Sequence, residues 1–246
     1  MKAMILAAGL GTRLRPLTND RPKALVEIGG RTLLEIILTR LREFDIREVI
    51  INVHHFPDMI GEFLKSRDNF GMHVEISREE ILLDTGGGLK KAAYFFAHDG
   101  QPFLLHNVDV LSAMDFRRML DYHLENRALA TLAVHDRPTS RYLLFDENLR
   151  LCGRRSSKDA KGQIVRGPRE KKALAFSGIH IISPAIFPKM NEDGVFSIID
   201  TYLQLAAQGE SILAFQADGY YWRDLGRIEH LLQIEDDIRR GSLPEF

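Results

Sequence analysis

The sequence of 246 residues contains a single cysteine, Cys152, so no disulfide bond can form within the chain. A lone cysteine is typical of a protein that folds in a reducing compartment, and we expect a cytoplasmic location and a structural thiol. A long apolar run and a basic leader are also lacking before the first apolar segment. We therefore expect neither a signal peptide nor a transmembrane helix.

An excess of charge of either sign is absent, because 33 Lys and Arg face 34 Asp and Glu and give a formal net charge of −1. Nucleic-acid binding and attachment to a membrane surface normally use a strong basic field, so we expect neither partner. Internal repeats and low-complexity tracts are lacking as well. Any recognition of phosphate has to be local, within a chain long enough for one large core.

What the sequence does contain is a concentrated motif in its first 25 residues, MKAMILAAGLGTRLRPLTNDRPKAL. The apolar run 3–8 predicts a buried strand, and Gly9, Gly11 and Thr12 follow it directly. Small residues at this point leave backbone N–H groups open to an anion. The same segment carries three cations that are favourably placed only around a polyanion: Arg13, Arg15 and Lys23. The alternative is a glycine turn with solvated basic side chains.

Two common phosphate-binding motifs do not fit this segment. A Walker loop needs a second glycine followed by Lys and by Ser or Thr, where this sequence has Leu14, Arg15 and Pro16. The dinucleotide motif needs a third glycine, and Leu14 occupies that position too. We therefore expect neither a P-loop nor NAD binding.

The segment instead resembles the signature of the sugar-nucleotide pyrophosphorylases, the nucleotidyltransferases that join a sugar 1-phosphate to a nucleoside triphosphate. The residues that carry the resemblance are Leu6, Ala7, Ala8, Gly9, Gly11, Thr12, Arg13, Leu14, Pro16, Leu17, Thr18, Pro22, Lys23 and Leu25. Within that family the chain is most similar to the N-acetylmuramate 1-phosphate uridylyltransferases, followed by the heptose and mannose 1-phosphate guanylyltransferases.

Strand and helix patterns alternate along the first part of the chain. Residues 32–44 have apolar side chains at helical spacing, 49–53 and 73–76 are short strand-like runs, and 59–64 form a short amphipathic segment. This alternation predicts an α/β fold with a mostly parallel sheet and helices on both faces. The resemblance implies a Rossmann-like core with an inserted sugar-binding lobe. We expect one domain, 1–246, with a mainly nucleotide-binding core (1–135), a mainly sugar-binding lobe that also closes the site (136–226) and a C-terminal packing helix (227–246).

A second glycine cluster, Asp84-Thr85-Gly86-Gly87-Gly88, opens the next predicted helix. Three consecutive glycines weaken a helix, which indicates a backbone exposed for close approach of a ligand. The alternative is a flexible first turn capped by Asp84 or Thr85. The resemblance implies that this loop recognises the nucleobase, and it assigns Thr85 and Gly86 to nucleotide binding.

Two aspartates are candidate metal ligands. Asp109 follows the apolar predicted strand 102–108, at the edge where parallel sheets bind ligands. The family motif commonly has glycine where this chain has Val108, and the alternative role of Asp109 is to cap the following helix. Asp224 lies in the segment 221–226, YWRDLG, which resembles the family's Trp-x-Asp-Ile-Gly element. Together the two carboxylates predict one Mg²⁺ whose remaining ligands are substrate oxygens and waters.

The later part of the chain predicts a second lobe. A hairpin is expected around 146–148, and residues 153–172, rich in charge, Gly and Ser, are expected to form a mobile insertion. The family's Glu-Lys-Pro element has no match there, because Glu170-Lys171 lies too near the next strand, so we assign no catalytic lysine. Ser177 and Gly178 resemble the family's sugar-facing segment, and a bulge explains this small pair equally well.

The resemblance implies in-line attack of a sugar 1-phosphate oxygen on the α-phosphorus of a nucleoside triphosphate, which gives a nucleotide sugar and pyrophosphate. Arg13 is expected to stabilise the leaving pyrophosphate and Lys23 to hold phosphate near the α-phosphorus. The expected nucleotide contacts are Leu6, Ala7, Ala8, Gly9, Gly11, Thr12, Arg13, Lys23, Thr85, Gly86 and Asn107. UTP is favoured over GTP, and a catalytically silent nucleotide-binding regulatory subunit is the alternative of another class. The sequence does not determine the sugar, the pathway, the regulation or the oligomeric state.

Overall fold

The computed structural model describes residues 1–97, 100–167 and 172–241. The chain divides into two compact units, of which unit 1 comprises Met1–Leu82, Leu105–Met114 and Tyr220–Phe246. Unit 2 comprises Leu83–Leu104 and Asp115–Gly219, so two segments that interrupt unit 1 form it. The predicted functional subdivision, with boundaries after 135 and 226, divides the chain differently and stays a prediction.

The strands and helices follow the predicted alternation. In chain order they are β1 (Ala3–Leu6), β2 (Glu27–Ile28), β3 (Arg31–Thr32), α1 (Leu33–Glu43), β4 (Glu48–Val53), α2 (Pro57–Ser66), β5 (His73–Arg78), α3 (Asp84–Lys91), β6 (Phe103–Asn107), β7 (Val110–Ser112), α4 (Phe116–Glu125), β8 (Ala130–His135), β9 (Arg141–Phe145), β10 (Leu151–Ser156), β11 (Asp159–Ile164), β12 (Lys172–Ile182), α5 (Ile198–Ala207), β13 (Ile212–Gln216), β14 (Trp222–Asp224) and α6 (Ile228–Arg239). Among the helices of the described residues, none has the length and apolar character needed to cross a bilayer.

The sheet of unit 1 places the carboxyl-terminal half of β6 beside β1, followed by β4 and β5. β1 pairs with β4 in parallel, with Leu6 opposite Asn52, and β4 pairs with β5 in parallel. Strands β1 and β4 are almost continuous runs of buried aliphatic residues, as expected where helices cover both faces of a sheet. Helix α1 is capped by Thr32, whose hydroxyl accepts a hydrogen bond from the N–H of Glu35 at 3.1 Å. The α/β prediction is confirmed.

An apolar cluster in unit 1 joins the segments that carry the site. Its buried members come from the chain between β1 and β2, from β2, α1 and β7, from the residue after β14, and from α6: Leu14, Val26, Ile28, Leu33, Ile36, Leu111, Leu225, Leu231 and Ile234. Burying one such side chain contributes about 1.5–3 kcal/mol. Packing therefore fixes the segments that follow Gly11, Asp109 and Asp224 relative to one another.

Unit 2 contains a mixed sheet. β12 pairs antiparallel with β8 and with β9, β8 pairs parallel with β13, and β9 pairs antiparallel with β10. The predicted hairpin at 146–148 is confirmed by the β9–β10 pairing. Helices α3 and α5 pack against each other within this unit.

The predicted mobile insertion at 153–172 is wrong for its described part. β10 continues to Ser156 and pairs antiparallel with β11, with Gly153 opposite Ile164. A Cβ on Gly153 would overlap the carbonyl oxygen of Gln163, so this glycine permits close approach of two strands. Glycine and charge at this position reflect an exposed hairpin and not a loss of order. Glu170-Lys171 lies outside the described residues.

Candidate active site

The loop after β1 is open to an anion. Gly9 is exposed, and a Cβ on it would meet no atom of the described residues within 4 Å. Within the described ranges, the backbone N–H groups of residues 9–13 donate to no protein acceptor. Gly11 has φ +63°, and its carbonyl oxygen accepts from the N–H of Leu14 and the hydroxyl of Thr18, both at 2.8 Å. The loop is thus held through its carbonyl side, while its N–H donors remain available to a phosphate, as the sequence predicts.

The other predicted nucleotide contacts of this segment flank the loop. Leu6 ends β1, and Ala7 and Ala8 are buried directly after it. Thr12 and Arg13 are exposed in a short 3₁₀ helix, Thr12–Leu14, so both side chains are accessible to a ligand.

Lys23 is buried in spite of its charge, with 8% of its surface exposed. Its ammonium group forms an ion pair and a hydrogen bond with Oδ2 of Asp109. A buried ammonium is costly without such a partner, because burial removes the water that stabilises its charge. The structure therefore brings the predicted phosphate-binding lysine into contact with the first predicted metal ligand.

A short antiparallel ladder brings the second aspartate to the first. β14 pairs with β7, with Asp224 opposite Val110, and the N–H of Leu225 donates to the carbonyl oxygen of Asp109 at 2.7 Å. Two aspartates that are distant in sequence are adjacent because their strands share this ladder. The partnership could be foreseen from the family resemblance but not from local sequence.

Gly226 marks the point where the charged groups converge. A Cβ placed on Gly226 would lie 2.8 Å from Nη2 of Arg13, 2.8 Å from Oδ1 of Asp224 and 2.9 Å from Oδ2 of Asp109. The N–H of Gly226 also donates to Oδ1 of Asp224 at 2.7 Å. Glycine keeps this space clear, because any larger residue would push the three groups apart. With Lys23 bound to Asp109, all four predicted catalytic and metal-binding residues are therefore in one place.

The donor set at this point fits Mg²⁺. Oxygens of Asp109 and Asp224 lie within 2.9 Å of the same position, and Mg²⁺ prefers carboxylate oxygens combined with phosphate oxygens and waters. Among the described residues, no cluster of three or more His, Cys, Asp or Glu side chains is arranged to bind a metal. Two carboxylates without a third acidic or histidine ligand are typical of an ion that completes its shell with substrate and solvent.

The segment that carries Asp109 departs from the family motif without moving the aspartate away from the loop. Val108 is buried, and its N–H donates to the carbonyl oxygen of Leu6 at 3.1 Å. This bond continues the pairing of β6 with β1 as far as the residue before Asp109. Asn107, a predicted nucleotide contact, is half-buried at the end of β6.

Sequence reasoning did not assign a role to His106, which lies in the same strand. His106 is 3% exposed, and its burial lowers the pKa from 6.5 to about 4. Its Nδ1 lies 2.8 Å from the carbonyl oxygen of Asn107. The imidazole is therefore neutral at pH 7 and leaves the charge near Asp109 to Lys23 and Arg13. In the sequence, the only indication that His106 is buried is its place in an apolar predicted strand. That pattern alone does not distinguish a buried histidine from an exposed one.

Thr85 and Gly86 lie in unit 2, and the groups that they were predicted to expose are engaged within that unit. The N–H of Gly86 donates to the carbonyl oxygen of Phe196 at 2.9 Å, and the Thr85 hydroxyl accepts from the N–H of Ile198 at 3.0 Å. A Cβ on Gly86 would overlap the ring of Phe196, and one on Gly87 would overlap the carbonyl oxygen of Gly194. The inference that this glycine run exposes backbone is wrong, since Gly86 and Gly87 are buried. Their assignment to nucleotide binding stays a prediction.

Ser177 and Gly178 lie at an irregularity in β12. The register with β8 shifts between Phe176 and His180, and Gly178 has φ +77°, as the alternative of a bulge predicts. The Ser177 side chain is 1% exposed, and its hydroxyl lies 2.6 Å from Nδ1 of His135. The assignment of this pair to sugar binding stays a prediction.

The chain is similar to known nucleotidyltransferases over most of its length. The N-acetylmuramate alpha-1-phosphate uridylyltransferase of Caulobacter vibrioides is 35% identical over 223 residues, which cover 84% of this chain and 85% of that protein. The mannose-1-phosphate guanyltransferase of Yarrowia lipolytica is 29% identical over 94% of this chain, and this chain spans 62% of its length.

Solved structures show the same fold. HddC from Yersinia pseudotuberculosis, crystallised with GMP-PN, matches with a TM-score of 0.76 at 22% identity over 96% of this chain and 99% of that chain. A UDP-glucose pyrophosphorylase complexed with UDP-glucose matches with a TM-score of 0.79 at 17% identity over 98% of both chains. Residues 2–241 match the family described as nucleotidyl transferase, and the chain therefore belongs to that family.

Proposed function

We propose that this protein transfers a nucleoside monophosphate from a nucleoside triphosphate to a sugar 1-phosphate and releases pyrophosphate. The observation that carries the proposal is the convergence of Arg13, Asp109 and Asp224 beside Gly226, in the unit that also holds the open loop after β1. Membership of the nucleotidyl transferase family supports the same class of reaction.

The reaction brings two anions together, so neutralisation and alignment are the main tasks of the protein. In this proposal the N–H groups of residues 9–13 bind the triphosphate, and the Arg13 guanidinium stabilises the charge that develops on pyrophosphate. Lys23 holds phosphate near the α-phosphorus, and to do so its ammonium exchanges the Asp109 carboxylate for a phosphate oxygen. Both partners are anionic, so this exchange keeps the ammonium charge compensated.

We also propose Mg²⁺ as the cofactor, held by the carboxylates of Asp109 and Asp224. When bound, the ion supplies charge neutralisation between the reacting phosphates. Contacts of the base with Thr85 and Gly86, and of the sugar with Ser177 and Gly178, belong to the same proposal and rest on the family resemblance.

UTP is the proposed nucleotide donor. The uridylyltransferase of Caulobacter vibrioides is 35% identical to this chain over 85% of its own length, whereas this chain spans only 62% of the Yarrowia guanyltransferase at 29% identity. GTP is the alternative donor, since relatives named mannose-1-phosphate guanyltransferase also match 94% of this chain.

The cytoplasm is the proposed location. Cys152 is the single cysteine of the chain, and it is a buried thiol that forms no disulfide bond, which supports a reducing compartment. The proposed partners are the two substrates, and a net charge of −1 supports neither nucleic acid nor a membrane surface.

The test is pyrophosphate release with UTP, GTP, CTP, ATP or dTTP plus Mg²⁺, against N-acetylmuramate, mannose, glucose and heptose 1-phosphates. We expect turnover with UTP and one of these sugars, abolished by EDTA and restored by added Mg²⁺. If the protein preferred GTP, the proposed donor would change from UTP to GTP and the proposed reaction would stay the same. Absence of turnover across the panel, with nucleotide binding retained in calorimetry, would favour a regulatory subunit over an enzyme.

A further inference from the structure

We propose that Asn52 and Glu79 are positioning residues for the phosphate-binding loop and act through the N–H of Ala7. This inference rests on the proposed function, because it assigns to the two side chains an effect on the nucleoside triphosphate. Both residues lie outside the motifs that carry the family resemblance, on β4 and directly after β5.

Ala7, the first residue after β1, is hydrogen-bonded to a side chain of β4 where a backbone partner would otherwise be expected. Leu6 is opposite Asn52 in the parallel β1–β4 pair, and β1 ends there. Oδ1 of Asn52 accepts a hydrogen bond from the N–H of Ala7 at 2.8 Å. The amide of Asn52 thus continues the ladder by one residue at the point where the backbone leaves the sheet. It sets the direction in which the loop starts.

Glu79 determines which way the Asn52 amide points. Nδ2 of Asn52 donates to Oε1 of Glu79 at 2.7 Å. A carboxylate oxygen can only accept, so the NH₂ group of Asn52 has to face Glu79 and its carbonyl oxygen has to face Ala7. The reversed amide would set two acceptors against each other at Glu79 and two donors against each other at Ala7.

The chain of hydrogen bonds from Ala7 through Asn52 to Glu79, here called the relay, is buried, and the backbone of Glu79 is itself fixed. Asn52 is 2% exposed and Glu79 is 4% exposed, so water does not compete for these bonds. The N–H of Glu79 donates to the carbonyl oxygen of Val53 at 2.7 Å, which extends the β4–β5 pairing by one residue. Buried polar groups that satisfy one another in this way fix a single geometry, since any rearrangement leaves a donor or acceptor unpaired.

The hydrogen-bond pattern can be tested by exchanging the amide and the carboxylate between positions 52 and 79. In Asn52→Asp two carboxylates face each other in a buried site, which is unfavourable, and the donor to Glu79 is lost. In the double variant Asn52→Asp/Glu79→Gln, the new carboxylate accepts from Ala7 and the new amide donates to it. The number of hydrogen bonds and of negative charges then equals that of the parent protein.

The measurements are KM for each substrate, and calorimetric binding of UTP, for the full chain and its variants. We expect Asn52→Asp to raise KM and Kd for the nucleotide about tenfold and to leave KM for the sugar 1-phosphate within threefold. The double variant should return to within threefold of the parent. Asn148→Asp, an exposed change of the same kind in the turn between β9 and β10, is the matched control and should leave both KM values and the nucleotide Kd within threefold of the parent.

Asn52→Ala removes both hydrogen bonds without adding charge, and it replaces Asn52→Asp if that variant does not fold. Equal increases in KM for both substrates, unchanged nucleotide binding in the single variants, or failure of the double variant to recover would each overturn the proposal. If the parent protein turns over no substrate pair, the proposed function fails. The calorimetric comparison, with GTP in place of UTP where the parent binds it better, then still decides the role of Asn52. A parent protein that binds none of the five nucleoside triphosphates overturns both proposals.

Discussion

The two units use glycine for opposite purposes. In unit 1, Gly9 lies in open space and Gly226 keeps clear the point where Arg13, Asp109 and Asp224 meet. In unit 2, Gly86 and Gly87 are buried, and the carbonyl oxygen of Phe196 accepts hydrogen bonds from both N–H groups. Gly9 leaves space for a ligand, and Gly226 lets the charged side chains of the candidate site approach its backbone. Gly86 and Gly87 instead allow two segments of the protein to pack closely.

The difference shows what a glycine-rich run can and cannot indicate. A glycine permits close approach of any group to the backbone, and the sequence does not say whether that group is a ligand or another part of the chain. Which of the two it is depends on residues far away in sequence. In unit 2 the segment around Phe196 packs against the glycines, whereas in unit 1 no described segment packs against Gly9. Four variants test the contrast.

The largest expected effect belongs to Arg13, the cation that faces Gly226. Arg13→Ala should lower kcat about a hundredfold or more, roughly 2.7 kcal/mol or more of transition-state stabilisation, as for other single charge-stabilising donors. Pyrophosphate release at saturating substrate measures it. Arg21→Ala is the matched control, because Arg21 is an exposed arginine of the same segment that is bonded to Asp20. A loss within a few-fold of the parent would remove Arg13 from the catalytic role.

Gly87→Ala should destabilise the protein without a specific effect on catalysis. The added Cβ overlaps the carbonyl oxygen of Gly194, which is backbone and cannot move away by changing rotamer. Alanine favours a helix by about 1 kcal/mol over glycine, so we expect a net loss of about 2 kcal/mol in the free energy of unfolding. Urea denaturation measures this loss, and kcat per folded molecule should be retained.

Gly219→Ala is the control for that experiment, because a Cβ on Gly219 meets no atom within 4 Å. Its free energy of unfolding should stay within about 0.5 kcal/mol of the parent. If Gly87→Ala were as stable as the parent and lost nucleotide binding instead, the glycine run of unit 2 would have the role first predicted for it.

Gly226→Ala should produce the reverse pattern. Its Cβ meets only the ends of side chains, which can move, so stability should change little. Those ends are the proposed catalytic and metal-binding groups, and their displacement should lower kcat about tenfold, or 1.4 kcal/mol. Gly61→Ala in α2 is the control, since its Cβ makes an ordinary contact with Ile76. A loss of stability with unchanged kcat would show that Gly226 serves packing alone.

The sequence predicted most of the fold, and the structure brings together the four residues that the sequence proposes for catalysis and metal binding. Apolar periodicity located α1 and the central part of α2, because local spacing determines which face of a helix is buried. The family motif identified Arg13 and Lys23, and resemblance added Asp224. Local patterns contain no information on pairing between distant strands, so the ladder of β7 and β14 and the ion pair of Lys23 with Asp109 appear only in the structure.

Errors arose where composition was used in place of pairing. The composition of residues 153–172, rich in Gly, Ser and charge, predicts a mobile insertion, yet β10 and β11 form a hairpin in its described part. The relay of Asn52 and Glu79 was missed for a related reason. From the sequence, Asn52 is only a residue with a low propensity for strands. Its proposed role depends on the loop after β1, which is distant in sequence and begins beside Asn52 in space.

Thr85→Ala should have the smallest effect of the four and completes the comparison. The Thr85 hydroxyl already accepts the N–H of Ile198 at 3.0 Å, so its removal leaves that N–H without its partner. We expect a loss of about 1 kcal/mol in the free energy of unfolding, and KM for the nucleotide within threefold of the parent. Thr85→Ser keeps the hydroxyl and should match the parent in stability. If Thr85→Ala instead raised KM for the nucleotide tenfold and Thr85→Ser did not, the hydroxyl would bind the base. The two glycine-rich segments would then share a function after all.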